Sequence, residues 1–148
     1  MNNDNIDLLI LDYSGVCTAS VLFRLLVIDI RDGDGVRREC EELVKEAQEA
    51  GIAVAVLSNE MTKDWARTIP LLATVDHVVA CADNNIFKPD RRAFQRCLLL
   101  ADTEPERALV VDDEPDNITV AASLGMHTVL FDETQTSASW SAVHEKLS

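Results

Sequence analysis

The 148 residues are 47% hydrophobic and 26% charged, a balance that supports a packed core and excludes a disordered chain. Acidic residues outnumber basic ones 26 to 13, leaving a formal net charge of −13 and a pI near 4.4. A surface so acidic repels phosphodiester backbones and anionic lipid, so neither nucleic acid nor membrane is expected as a partner.

The N-terminal MNNDNIDLL has no basic stretch, and no apolar run approaches the ~20 residues of a membrane span. Cys17, Cys40, Cys81 and Cys97 are scattered without a CxxC. That spacing fits reduced, buried thiols in a cytoplasmic protein and neither disulfides nor zinc.

In chain order, 7–12 (DLLILD) reads as a parallel strand buried on both faces, because apolar residues occupy successive positions. SGVCTAS is a small-residue turn, and 21–30 (VLFRLLVIDI) is expected to be strand or hairpin. Asp32-Gly33-Asp34-Gly35 is a tight loop that lacks the remaining positions of a calcium-binding loop. A helix follows, with Val36, Cys40, Leu43, Val44 and Ala47 on one face and Gly51 at its end.

IAVAVLSN is the second buried strand; MTKDWARTIPLLATV is expected to be helical and broken at Pro70. HVVACAD is a short third strand, and PDRRAFQRCLLLA an amphipathic helix with Pro89 near its start. RALVVDD is a fourth strand, NITVAASLG a helix stopped by Gly125, HTVLF a fifth strand and SWSAVHEKL a terminal helix. Strands alternating with helices at this spacing predict one α/β domain over 1–148, a doubly wound parallel sheet.

Asp12, Ser58 and the Asp112-Asp113 pair each follow an apolar run, which places them at carboxyl ends of strands, where an open α/β sheet binds ligands. With Lys88 of FKPD, they bring three carboxylates, a hydroxyl and an ammonium to one edge, a set suited to Mg²⁺ and a phosphoryl group. His77, His127 and His144 lack mutual spacing and are expected to be structural or exposed, and Cys17 to be a packed thiol.

In these four segments the chain resembles the haloacid dehalogenase-like (HAD) superfamily. Asp12-Tyr13-Ser14-Gly15-Val16 stands where the family has a strand followed by DxDGT/V, and Ser58 where it has a strand ending in Ser or Thr. Lys88-Pro89 matches its third motif, and Asp112, Asp113 and Asn117 its acidic fourth.

The resemblance implies a Rossmann-like sheet and an aspartyl-phosphate formed on Asp12. It further implies Mg²⁺ held by Asp12, the Ser14 carbonyl and Asp113, with Asp112 bound or beside it. Ser58, with Asn59, would contact the phosphoryl oxygens; Lys88 would neutralise developing charge, and Asn117 would orient Lys88 or an acidic ligand.

One position departs from the pattern. Family phosphatases place a second Asp two residues after the nucleophile, as acid and then base, and here that residue is Ser14. General acid–base help is typically worth ~10²–10⁴-fold in rate. Three outcomes remain open: a substrate whose leaving group needs no proton, a slow or phosphoryl-retaining enzyme, or a domain that binds without turnover. Relatives that cleave carbon–halogen bonds also lack the second Asp but generally dispense with Mg²⁺, which the Asp112-Asp113 pair argues against. Those that cleave carbon–phosphorus bonds need a lysine borne on a cap, for which this chain has no room.

Residues 13–57 and 59–87, between the first three motifs, leave no room for a separate cap domain either. The site should therefore be open to a small or macromolecular phosphorylated substrate. The apolar 21–30 segment is expected to pack against a second copy or another protein. The leading reading is a Mg²⁺-dependent phosphohydrolase or phosphoryl-transfer enzyme; the alternative is a catalytically degenerate HAD domain that binds a ligand or partner.

Overall fold

The structure is a computed structural model and describes residues 5–20 and 35–148. The expected 21–30 hairpin and most of the Asp32–Gly35 loop lie outside the described residues.

Five parallel strands form one sheet: β1 (Leu8–Leu11), β2 (Ala53–Ser58), β3 (His77–Ala80), β4 (Ala108–Asp112) and β5 (His127–Leu130), in spatial order β3-β2-β1-β4-β5. Helix α1 (Arg38–Glu49) joins β1 to β2. A short helix α2 (Lys63–Ala66) and the 3₁₀ turn Pro70–Ala73 lead to β3. Then come α3 (Cys81–Asn84) and α4 (Arg91–Leu100) before β4, α5 (Pro115–Ser123) before β5, and α6 (Thr136–Leu147) after it.

The three central strands, β1, β2 and β4, are buried on both faces, as their unbroken apolar runs require. Leu9, Leu11, Val54, Val56, Leu109 and Val111 pack beneath Cys40, Leu43, Val44 and Ala47 of α1 and Trp140 and Val143 of α6. Leu8, Ile10, Ala55, Leu57 and Val110, alternating with them, meet Phe94, Cys97 and Leu98 of α4 and Ala121 of α5 on the other side. Among the described residues there is no second folded unit over the sheet.

Two expectations change in detail. The helical stretch after β2 splits into α2 and the 3₁₀ turn, with Pro70 opening the turn. The third strand ends at Ala80, because Cys81–Asn84 already form a helical turn that closes on Asn85 in the left-handed region.

Chain order reverses between β1 and β4: the connection from β1 runs to β2 on one side, and that from β4 runs to β5 on the other. Loops diverge at such a switch point and leave a crevice at the carboxyl ends of the two central strands. Asp12 follows β1 directly, and Asp112 closes β4.

Candidate phosphoryl-transfer site

Parallel pairing sets the site's geometry. Leu11 pairs with both Val56 and Val111, so Asp12, one residue on, is level with Leu57 and Asp112. The Asp12 N–H donates to the Val111 carbonyl at 3.0 Å, which carries the ladder one step past the strand. Ser58 and Asp113 come next along their own chains.

Lys88 reaches this edge from the loop before α4. Its ammonium donates to Asp12 Oδ1 at 2.9 Å and to Asp112 Oδ2 at 2.7 Å. All three side chains are buried, with relative exposures of 3% for Lys88, 11% for Asp12 and 1% for Asp112. A buried ammonium is tolerable only when opposite charges surround it. Burial alone pulls the Lys88 pKa down, but attraction to Asp12 and Asp112 outweighs it, and the net shift is upward.

Asp112 has partners on both oxygens. Beside Lys88, its Oδ2 accepts from Asn117 Nδ2 at 3.1 Å, and its Oδ1 accepts the Glu114 N–H at 2.9 Å. Asn59 braces Lys88 from the opposite side: its Oδ1 accepts the Lys88 N–H at 2.7 Å, and its Nδ2 donates to the Lys88 carbonyl at 3.0 Å. The sequence assigned Asn59 to phosphate contact and held no signal for this second task.

Asp12, Ser14, Ser58, Asn59, Lys88, Asp113 and Asn117 line one open cavity of about 270 Å³, joined by Ser20, Glu60 and Glu114. Ser20 and the two glutamates were not singled out from the sequence. Cys17 is buried, and its hydrogen bond with Cys40, then its burial, push the thiol well above the ordinary range. It is a packed thiol, as expected. His127 contacts the Glu106 carbonyl and His144 faces Glu46, both outside the cavity.

The electrostatics ask for a cation. Asp12, Asp112 and Asp113 each offer an oxygen within 4.8 Å of the others, so three carboxylates face one ammonium. Burial pushes the Asp12 carboxyl well above the ordinary range; Lys88 opposes the shift, and the Asp112 charge adds to it. Asp113 is also raised, first by burial, with its hydrogen bond to Asp12 acting the other way. A divalent ion would cancel this excess charge, and all-oxygen ligands are what Mg²⁺ prefers.

Gly15 makes the close packing possible. It sits at φ +97°, and a Cβ there would lie 2.2 Å from Asp113 Oδ2. Only glycine lets the loop after β1 approach the Asp113 carboxylate so closely.

Comparison with known proteins shows the family and the fold. The haloacid dehalogenase-like hydrolase family model matches residues 7–125. The chain is 35% identical over 97 residues to acyl-CoA dehydrogenase family member 10 of Mus musculus, a match that spans 64% of this chain and 9% of that protein. It superposes on a structure from Corynebacterium glutamicum with a TM-score of 0.75 at 24% identity, covering 97% of this chain and 96% of the other. A HAD family enzyme from Bacteroides thetaiotaomicron, solved in complex with magnesium and inorganic phosphate, superposes with a TM-score of 0.63 at 15% identity, over 84% and 93% of the two chains. At these identities the two structures attest the fold.

Proposed function

The chain belongs to the haloacid dehalogenase-like hydrolase family, and within it we propose a Mg²⁺-dependent phosphohydrolase that forms an aspartyl-phosphate on Asp12 and favours leaving groups that need no proton. The observation that carries this reading is the Lys88 ammonium shared between Asp12 and Asp112, beside Asp113 in the same cavity. A nucleophilic carboxylate must be ionised, and burial pushes the Asp12 carboxyl upward, toward its protonated form. Lys88 and a cation together reverse that preference.

In the first step an Asp12 oxygen attacks phosphorus, and the bond from phosphorus to the leaving oxygen breaks. The leaving group takes both bonding electrons. A carboxylate released from an acyl phosphate is stable as the anion, whereas an alkoxide requires a proton that Ser14 is poorly suited to supply. Water then attacks phosphorus, the bond from phosphorus to the Asp12 oxygen breaks with its electrons returning to the carboxylate, and the protons of the water leave on inorganic phosphate.

Ser58 would donate its hydroxyl to a phosphoryl oxygen, and Lys88 would offset charge as it builds on the equatorial oxygens. Asp12, Asp113 and the Ser14 carbonyl would hold Mg²⁺, whose chemistry here is to neutralise phosphoryl charge and fix its orientation. Asp112, which accepts from Lys88, Asn117 and Glu114, orients the lysine. The Bacteroides enzyme's complex with magnesium and inorganic phosphate supports the ligand class.

The test is hydrolysis of acetyl phosphate and p-nitrophenyl phosphate with Mg²⁺ by the wild type, Asp12→Asn and Ser14→Asp. The reading expects wild-type activity strongest on acetyl phosphate, no activity in Asp12→Asn, and a gain on p-nitrophenyl phosphate in Ser14→Asp. Turnover by Asp12→Asn would remove the nucleophile assignment. A silent wild type with an active Ser14→Asp would instead establish the degenerate, ligand-binding domain.

A further inference from the structure

Ser20 lines the phosphoryl cavity, yet its N–H and its hydroxyl both donate to the carboxylate of Glu133, each at 2.6 Å and 113 residues away in the chain. The same carboxylate accepts from the Arg37 guanidinium at 3.2 Å. Arg37 is 5% exposed, and its Nε donates to the Val16 carbonyl at 3.0 Å. Its main-chain N–H donates to the Cys17 carbonyl at 2.7 Å, and Thr18 bridges Val36 in antiparallel fashion. One carboxylate therefore ties the 16–20 stretch to the start of α1.

Glu133 is itself held in place. It opens a 3₁₀ turn, Glu133–Gln135, capped by Asp132, whose carboxylate accepts from the Thr134 N–H at 2.9 Å and the Thr134 hydroxyl at 2.7 Å. The Asp132 N–H donates to the Ser139 hydroxyl of α6 at 2.9 Å. Arg37 lies 5.6 Å from the ring centroid of buried Phe131, at the end of β5. A charge-assisted bond of this length is stronger than a neutral one, and its partners lose freedom accordingly.

The phosphoryl chemistry above uses neither Glu133 nor Arg37. We propose that Glu133, braced by Arg37, is a positioning residue: through Ser20 it sets one wall of the cavity and so selects the leaving group that fits beside the phosphoryl group. The inference rests on the phosphohydrolase reading. At about 270 Å³ the cavity is small for a ligand site, so a modest shift of one wall changes what it admits. The phosphoryl oxygens would be gripped by Ser58 and Lys88, on the β2 and α4 side, whereas Ser20 belongs to the segment that leaves β1 for α1.

The test is calorimetric binding of inorganic phosphate and of phenylphosphonate, both with Mg²⁺, to the wild type, Glu133→Gln, Ser20→Ala and the double variant. Thermal melts alongside confirm that each is folded. Glu133→Gln should leave the phosphate Kd unchanged while shifting the phenylphosphonate Kd by about tenfold, the equivalent of one hydrogen bond to a charged group. Ser20→Ala should shift the ratio of the two constants in the same direction, and the double variant should add nothing further.

A clamp that only stabilises the fold would lower the melting temperature and leave that ratio at its wild-type value. An unchanged ratio in folded Glu133→Gln, or additive shifts in the double variant, overturns the inference. Should Glu133→Gln fail to fold, the ratio in Ser20→Ala decides alone. Wild type that binds neither ligand overturns the phosphohydrolase reading and this inference with it. Wild type that binds both, with variants of unchanged ratio, overturns this inference alone.

Discussion

Lys88 Nζ lies 2.7 Å from Asp112 Oδ2, and neither side chain is more than 3% exposed. With Asp12 also in reach of the ammonium, removing the lysine leaves two buried carboxylates facing each other. Lys88→Met should therefore cost stability as well as activity, by about 3–5 kcal/mol, the usual penalty for orphaning a buried charge. Asp112→Asn keeps the shape and an acceptor, so its loss should be smaller, about 1–3 kcal/mol. Urea unfolding without divalent cations measures both. Equal losses would mean that the ammonium is held by something other than this charge pair.

Asn59 closes a two-bond ring on the main chain of Lys88. Its truncation in Asn59→Ala removes two partners from that segment and should cost about 1–3 kcal/mol. On the proposed phosphohydrolase reading the larger effect should be kinetic, because a lysine free to drift by even an ångström would lose its place against the phosphoryl group. Steady-state assays on acetyl phosphate should show kcat falling about tenfold or more with a smaller change in KM. A rise in KM alone would return Asn59 to the substrate-contact role read from the sequence.

Much of the architecture was legible because the strands obey a simple rule. DLLILD, IAVAVLSN and RALVVDD carry no polar alternation, and in the structure Leu8 and Ile10 serve one face while Leu9 and Leu11 serve the other. Once those runs are strands, their polar ends must meet at one edge, and Asp12, Ser58, Lys88, Asp113 and Asn117 do line one cavity. What was hidden depends on distances between loops. Nothing in Asn59 or Lys88 alone announces a bond from side chain to main chain. Ser20 and Glu133 meet only because β5 lies two strands from β1 and its exit turn folds back over the loop. HVVACAD predicts a strand that runs past Ala80, but Ala82 favours a helix over a strand, and Asn85 in the left-handed region closes the helical turn Cys81–Asn84.

Mg²⁺ should stabilise the protein, and more so at neutral than at acidic pH. Asp12 and Asp113 have folded pKa values raised by burial, so without metal the folded state binds protons more tightly than the unfolded chain. Without metal, these two groups lower stability as pH rises from the ordinary carboxylate range, near 3.8, through their folded values. Mg²⁺ must displace the same protons, so its effect grows over the same interval. At a concentration 100 times Kd the gain is about 2.7 kcal/mol. Melting curves with and without Mg²⁺ at pH 5 and pH 7.5 test this, with Asp113→Asn as the control that should lose the shift. A shift that Asp113→Asn retains would place the ion elsewhere.

Gly15 offers the sharpest separation of metal binding from fold. A Cβ at this position meets all three outer atoms of the Asp113 carboxyl, at 2.2, 2.5 and 2.8 Å, and the backbone is at φ +97°. Gly51, at φ +81°, has nothing within 4 Å of the same added atom. Both Gly→Ala changes share the strain of a left-handed alanine, about 1–2 kcal/mol, so any difference between them beyond that comes from the displaced carboxylate. Gly51→Ala should lose that much stability and bind Mg²⁺ as the wild type does. Gly15→Ala should lose more, and its Mg²⁺ affinity should fall about tenfold or beyond, because a hard cation tolerates little distortion of its oxygen ligands. Calorimetric titration of the two variants decides the matter: equal Mg²⁺ affinities would show that the ion does not depend on the Asp113 carboxylate, and that the glycine serves only the turn.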